Sequence, residues 1–290
     1  MISSTPRTAA DRSAAGTLSR LGLGALAVTA ALTLSACGGP DSAGEAWDSA
    51  REQLAEAESF RLTAELPEEA LQGGATSGTL EASGSTGESN GQLTMRMKAD
   101  QGDFSMEVRE VGEKGYIRMD VDGEDLDQNA KAMMGLGDKW IAQDVPEDQR
   151  GMIGSLRESM LAKLPDAGAL EGVDAEAQEV DRDGEKAYRY EIPQDIAESA
   201  AQEAETEGED SDGVGQGAAA LNELDMSLVR AFVVDGDGEL LALELRGEEG
   251  EDGEKAPATE MTFSDWDSVE EVEAPAEDEV REAPGIDGQG

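Results

Sequence analysis

The amino-acid sequence predicts an α+β domain in which an antiparallel sheet carries helices on its apolar side. Three observations lead there. Between residues 59 and 121, apolar residues recur at every second position, the period of a half-buried strand. Gly102-Asp103 and the stretch from Gly112 to Gly115 fall at joints between these runs, where hairpin turns require them. Over 45–58 and 147–164 the spacing lengthens to that of an amphipathic helix.

The elements follow in chain order. Ala46, Trp47, Ala50, Leu54 and Ala57 fall near one face of a helix over 45–58. Ser59 to Leu66 alternates strictly, with Phe60, Leu62, Ala64 and Leu66 on one side, and Gly78 to Ser83 is a weak strand. Leu93, Met95 and Met97 face inward from the next strand, while Thr94, Arg96 and Lys98 face water. Phe104, Met106 and Val108 repeat the pattern, and so do Ile117, Met119 and Val121. The period then changes. A short amphipathic helix from Leu126 to Leu136 carries Ala130, Met133 and Met134, and Trp140-Ile141 reads as a brief strand. The helix over 147–164 places Met152, Ile153, Leu156, Met160, Leu161 and Leu164 on one side, and Pro165 closes it.

A strand from Ala187 to Ile192 returns to alternation, with Tyr188, Tyr190 and Ile192 together. Residues 195–218 are acidic and rich in Gly, Ala and Ser, and read as a solvated helix running into a disordered loop. A hairpin follows, 228–234 and 239–246, turning at Asp235-Gly236-Asp237-Gly238. A strand from Thr259 to Trp266 completes the sheet, and 273–290 reads as a disordered acidic tail.

The start of the chain has a different logic. Arg7, Arg12 and Arg20 precede an apolar run from Leu21 to Leu34, and small residues precede a cysteine in Leu34-Ser35-Ala36-Cys37. That is the layout of a secretory signal peptide over 1–36. Leu-Ser-Ala-Cys resembles the bacterial lipobox, whose cysteine receives a diacylglyceryl thioether. Cys37 is the single cysteine of the chain and cannot form an internal disulfide. Two acyl chains hold a protein stably on a membrane, where one gives marginal binding. The expected mature protein is therefore lipid-anchored through Cys37 on the extracytoplasmic face of the cell membrane. A flexible tether over 37–44 leads to a domain over 45–272.

Composition narrows the chemistry. The chain carries 66 acidic and 22 basic residues, a net charge of −44; the leader holds three Arg and one Asp, so its removal takes the charge to −46. Nucleic acid is excluded as a partner, because phosphate neutralisation needs a basic surface. Anionic headgroups are repelled too, which leaves the holding to the acyl anchor. There is no histidine, which removes the usual general base and the commonest transition-metal ligand. No nucleophile elbow, Walker loop or dinucleotide fingerprint is present. No enzyme activity, cofactor or metal is expected. Asp-Gly-Glu words at 122–124, 183–185 and 237–239 look superficially like calcium loops, but none continues as an EF-hand, and Asp-Gly hairpin turns explain them.

The apolar stripes are unusual in being Met-rich, and methionine adapts to irregular or flexible shapes. A sheet with such residues under short helices can open a cavity for a chain-like ligand. The candidate lining is Phe60, Leu62, Leu93, Met95 and Met97 from the first strands and Phe104, Met106, Ile117 and Met119 from the next pair. Met133, Met134, Met152, Ile153, Leu156 and Met160 would cover it, with Tyr188 and Tyr190 at its far side.

The order of elements resembles a known family. The cysteine of the lipobox, a helix leading into Ser59-Phe60-Arg61-Leu62, Gly115-Tyr116-Ile117, Lys139-Trp140-Ile141, and Phe263-Ser264-Asp265-Trp266 with Pro275 are similar to the actinobacterial LppX/LprAFG lipoproteins. These share the fold of the lipoprotein carriers LolA and LolB. The resemblance implies a strongly curved antiparallel sheet, a half-barrel, with helices covering its concave face. It also implies a monomer that binds a lipid or glycolipid for carriage or retention, working with envelope transport machinery. The alternative is an envelope scaffold with a packed core and no ligand.

Overall fold

The computed structural model describes residues 41–67, 75–99, 102–122, 137–207, 226–246 and 259–282. The chain divides into two units at Gly38–Gly39, and every described residue belongs to the second. Cys37 and the expected helix from Leu126 to Leu136, with Met133 and Met134, lie outside the described residues. Among the described residues no helix is long and apolar enough to cross a membrane.

The described residues form an α+β domain. Helix α1 (Ala43–Glu56) opens it. Five strands follow: β1 (Ser59–Pro67), β2 (Ala75–Ser85), β3 (Asn90–Ala99), β4 (Asp103–Val111) and β5 (Lys114–Asp122). Strand β6 (Trp140–Asp144) precedes α2 (Met152–Lys163), and β7 (Gln178–Arg182) and β8 (Glu185–Glu191) precede α3 (Gln194–Glu207). Strands β9 (Val229–Asp235), β10 (Leu240–Leu245), β11 (Thr259–Ser264) and β12 (Val280–Glu282) finish the chain. All twelve strands join one sheet in the order β12-β6-β5-β4-β3-β2-β1-β11-β10-β9-β8-β7, which leaves β12 and β7 as its edges. Every pairing is antiparallel except that of β12 with β6.

The main core lies on one side of this sheet, and a small second cluster, Ala187, Val233 and Ala242, lies on the other. Phe60, Leu62, Leu80, Leu93, Phe232 and Leu243 are at most 1% exposed, and three helices cover them. Helix α1 packs on β9 and β10, α2 on β2 and β3, and α3 on α2 and β9. Trp47 of α1 meets Phe232 edge-on with centroids 5.1 Å apart, and Tyr190 stacks on the same ring at 5.1 Å. The Trp47 indole donates to the Pro165 carbonyl at 3.1 Å, tying α1 to the end of α2. Two glycines allow α2 its close approach. A Cβ at Gly91 would stand 2.6 Å from Ile153, and one at Gly154 would stand 2.4 Å from the Thr86 carbonyl oxygen.

Four boundaries differ from expectation, each for a local reason. Helix α1 begins at Ala43, inside the expected tether, because Ser42 and Glu45 form a capping box and Ala43 and Gly44 are buried. The helix expected from 147 begins at Met152. A 3-10 turn (Glu147–Gln149) comes first, and Gly151 adopts φ +83, which a continuing helix cannot pass. The helix over 194–207 is not wholly solvated: Ala197 is 1% exposed, and Ile196 packs against the core. The tail expected to be disordered from 273 instead returns to the sheet. Val280, Arg281 and Glu282 pair with Trp140, Ile141 and Ala142, and the Lys139 ammonium donates to the Asp278 carbonyl at 3.1 Å. Strand β7 has one large apolar residue, Val180, and so gave no alternation to read. It is a charged edge strand, a form that resists pairing with a second chain.

Candidate functional site

The register of three neighbouring strands sets nine apolar side chains in a grid on the core side of the sheet. Met97, Phe104 and Val121 form one row, Met95, Met106 and Met119 the next, and Leu93, Val108 and Ile117 the third. Antiparallel partners in such rows stand close enough to touch. Burial falls from β3 outward. Leu93 and Met95 are buried under α2, whereas Met97 and all six residues on β4 and β5 are only half-buried. The outcome is a methionine-rich apolar face, sealed at its β3 margin and partly open across β4 and β5.

One end of the grid is closed by charge rather than by bulk. Glu110, the next inward residue of β4, is 4% exposed. Its carboxylate oxygens accept the backbone amides of Gly151 at 2.6 Å and Met152 at 2.9 Å. Those amides open α2 and have no partner within the helix, so the carboxylate satisfies them and complements the helix dipole. The sheet itself therefore fixes where α2 starts.

The expected lining residues separate into two groups. Phe60, Leu62, Leu93, Met95, Ile153, Leu156, Met160 and Tyr190 are buried members of a single core cluster. Met97, Phe104, Met106, Ile117, Met119, Met152 and Tyr188 are half-buried. Tyr190 reaches the far end of that core, where its hydroxyl donates to the Asp41 carbonyl at 2.9 Å, and burial pushes its pKa upward. Tyr188 lies apart from the grid, its ring 5.1 Å from the Lys186 ammonium. Val108 and Val121 were legible as inward residues but were not counted in the lining. Their pairing with Ile117 and Phe104 places them in it.

The acidic turns hold themselves. The Asp181 carboxylate accepts the Gly184 amide at 3.1 Å, and that of Asp235 accepts the amides of Asp237 and Glu239 at 2.8 Å each. These are side chain-to-backbone turn bonds of the kind Asp commonly makes.

The outer face of the sheet is ionic. Arg118 donates from one nitrogen, Nη2, to both Glu107 oxygens at 2.9 and 2.8 Å, whereas Arg182 makes a true two-pronged contact with Glu260, Nη1 and Nη2 each on one oxygen at 2.7 and 2.6 Å. Arg189 and Arg230 converge on Glu244, whose side chain is 13% exposed. Burial alone would raise the Glu244 pKa, but the two guanidiniums outweigh it and hold the carboxyl below its usual range. The guanidiniums of Arg109 and Arg118 both lie over the Trp140 ring, 4.6 and 4.5 Å from its centre.

No family model matches the sequence, and no curated protein matches it. Among solved structures it is similar to a LolA superfamily protein from Nitrosomonas europaea, at 10% identity. The match covers 78% of this chain and 93% of that one, with a TM-score of 0.17. A likeness at that score carries no weight for function, which has to come from the side chains themselves.

Proposed function

We propose that this protein is a lipid-anchored extracytoplasmic lipoprotein that binds a hydrophobic ligand on the methionine-rich face of β3 to β5. The ligand is a lipid, a glycolipid or another acylated molecule, held for carriage or retention in the cell envelope. The observation that carries the reading is the half-exposure of Met97, Phe104, Met106, Ile117 and Met119 on one face. A contiguous apolar face of that kind marks an interaction surface in a water-exposed domain. Methionine side chains suit a flexible acyl chain whose shape varies. In this reading the sheet curves as a half-barrel around the ligand with the helices on its concave side, and Cys37 carries the acyl anchor. The protein works as a monomer beside envelope transport machinery, without catalysis.

A second reading, a packed scaffold for protein contacts, has its own support: eight of the expected lining residues are sealed in the core. Native mass spectrometry of the full chain extracted from its membrane separates the two. A noncovalent lipid adduct is expected in addition to the diacylglyceryl group on Cys37, and Met106→Asp should remove it while Cys37→Ala removes only the covalent group. Folded protein without any noncovalent lipid would leave the scaffold reading standing.

A further inference from the structure

The sheet face opposite the grid bears a groove of about 850 Å3, within the range of about 300–1,000 Å3 typical of small-molecule sites. Its floor is a row of four side chains, Arg61, Ser83, Gln92 and Arg109, set opposite one another on β1 to β4. Its wall is the strap that follows β11, from Asp265 to Glu273.

The strap is fastened at both ends. The Asp267 carboxylate accepts the Glu58 amide at 2.6 Å, and the Asp267 amide donates to the Ser59 carbonyl at 2.9 Å. Further along, the Asn90 side chain grips Val272 twice, accepting its amide at 2.9 Å and donating to its carbonyl at 3.0 Å. Arg109 donates to the Glu273 carbonyl at 3.2 Å. The groove between strap and sheet is thus a fixed opening.

Within it, polar capacity is left unused. Ser83 is 1% exposed, and its Oγ has no hydrogen-bond partner among the described residues. Buried polar atoms are normally satisfied, so an orphan beside a groove calls for a partner from outside the chain. The Gln92 amide likewise has no partner among the described residues. Among the described residues no carboxylate is paired to Arg109, which lies over the Trp140 ring, whereas Arg61 is tied to both Glu81 and Asp265. A hydroxyl, an amide and a guanidinium therefore stand side by side on adjacent strands, roughly 4.8 Å apart.

Charge selects among ligands. A net charge of −44, with Glu270, Glu271 and Glu273 on the strap, repels an anion. The strap's carboxylates draw a cation to the rim, but at the floor the Arg61 and Arg109 guanidiniums flank Ser83 and Gln92 on either side and disfavour one there. What remains is a neutral molecule with many groups that both donate and accept, the character of a hydroxyl. We propose that this groove binds a neutral saccharide, with hydroxyls on Ser83 Oγ, the Gln92 amide and the Arg109 guanidinium. The site is independent of the apolar face and stands or falls without it.

The test is saturation-transfer NMR on the full chain with methyl glycosides of glucose, galactose and mannose, and with maltose and lactose. Acetate, methyl phosphate and tetramethylammonium serve as charged comparators. Saturable binding of at least one sugar is expected, weakened by Ser83→Ala and weakened about tenfold by Gln92→Leu, the factor that one hydrogen bond can supply. Met106→Asp, on the opposite face, should leave sugar binding unchanged. Octyl glucoside beside methyl glucoside tells a lipid-borne sugar from a free one; Gln92-dependent binding of either supports the site. The proposal is overturned if no neutral sugar binds, if both groove variants bind as the parent does, or if acetate, methyl phosphate or tetramethylammonium binds more tightly than any sugar.

Discussion

The Glu110 carboxylate, on strand β4, accepts the amide of Met152, the first residue of α2, at 2.9 Å. A second bond to Gly151, at 2.6 Å, makes the contact two-pronged. This strand-to-helix cap ties the seating of α2 to the open side of the apolar face.

Removing the cap should loosen α2. Glu110→Ala leaves two half-buried amides without their carboxylate and is expected to cost about 1–3 kcal/mol in chemical denaturation. Glu110→Gln keeps one acceptor oxygen and should cost less. Equal stability of all three proteins would mean that water replaces the carboxylate at no penalty.

The apolar face should answer differently to substitution at its sealed and open margins. Leu93→Ala, under α2, is expected to lose about 2–5 kcal/mol, as a cavity in a packed core does. Met106→Trp, half-exposed on β4, should lose less than about 1 kcal/mol, because added bulk there does not overpack a sealed core. It should nevertheless displace bound lipid in native mass spectra. A loss of several degrees in Tm with Met106→Trp would show that the face is closed.

Two carboxylates give opposite pH responses. Glu244 is held below the usual carboxylate range by Arg189 and Arg230 against the cost of burial. Its contribution is therefore complete above the unfolded value of about 4.3 and is lost as pH falls through the lower folded value. Glu244→Gln should destabilise at pH 7 by about 1–3 kcal/mol and remove part of the acid limb of the stability curve. Glu239 is pushed upward by burial, then by Asp235, Asp237 and Asp267. It favours the folded state when protonated and opposes it as pH rises through its folded value. Glu239→Gln should raise Tm at neutral pH and change little in acid; a drop at neutral pH would mean that its charge is needed.

Salt should stabilise the domain. With 66 acidic residues against 22 basic, repulsion among carboxylates exceeds what the outer-face arginines neutralise. Raising ionic strength past about 0.15 M shortens the screening length below roughly 8 Å, and Tm should go on rising there. A flat profile would indicate that the pairs at Arg118, Arg182 and Arg189 already balance the sheet.

The strands were legible where alternation was strict. The inward positions of β1, β3, β4 and β5 are those the sequence indicates, because a period of two fixes which side chains share a face. Strands β7 and β12 were not legible. Gln178–Arg182 has a single large apolar residue, and Val280–Glu282 is too short for a pattern. Both exist because a paired edge satisfies backbone groups whatever their side chains. The start of α2 was also hidden, since it depends on Glu110, some forty residues upstream in sequence.

By itself, the sequence determined the α+β class, the antiparallel pairing of neighbouring strands, the inward set of methionines and the acidic surface. All of these follow from local period, turn residues and composition. The tertiary structure decided which methionines are sealed and which stay half-open, because burial depends on where α2 lands, and its cap and glycine contacts set that. Tertiary structure alone also made the groove of Ser83, Gln92 and Arg109. Its floor comes from four strands and its wall from a strap more than 150 residues further along the chain. No local pattern encodes that meeting; strand register and the Asn90–Val272 bonds do.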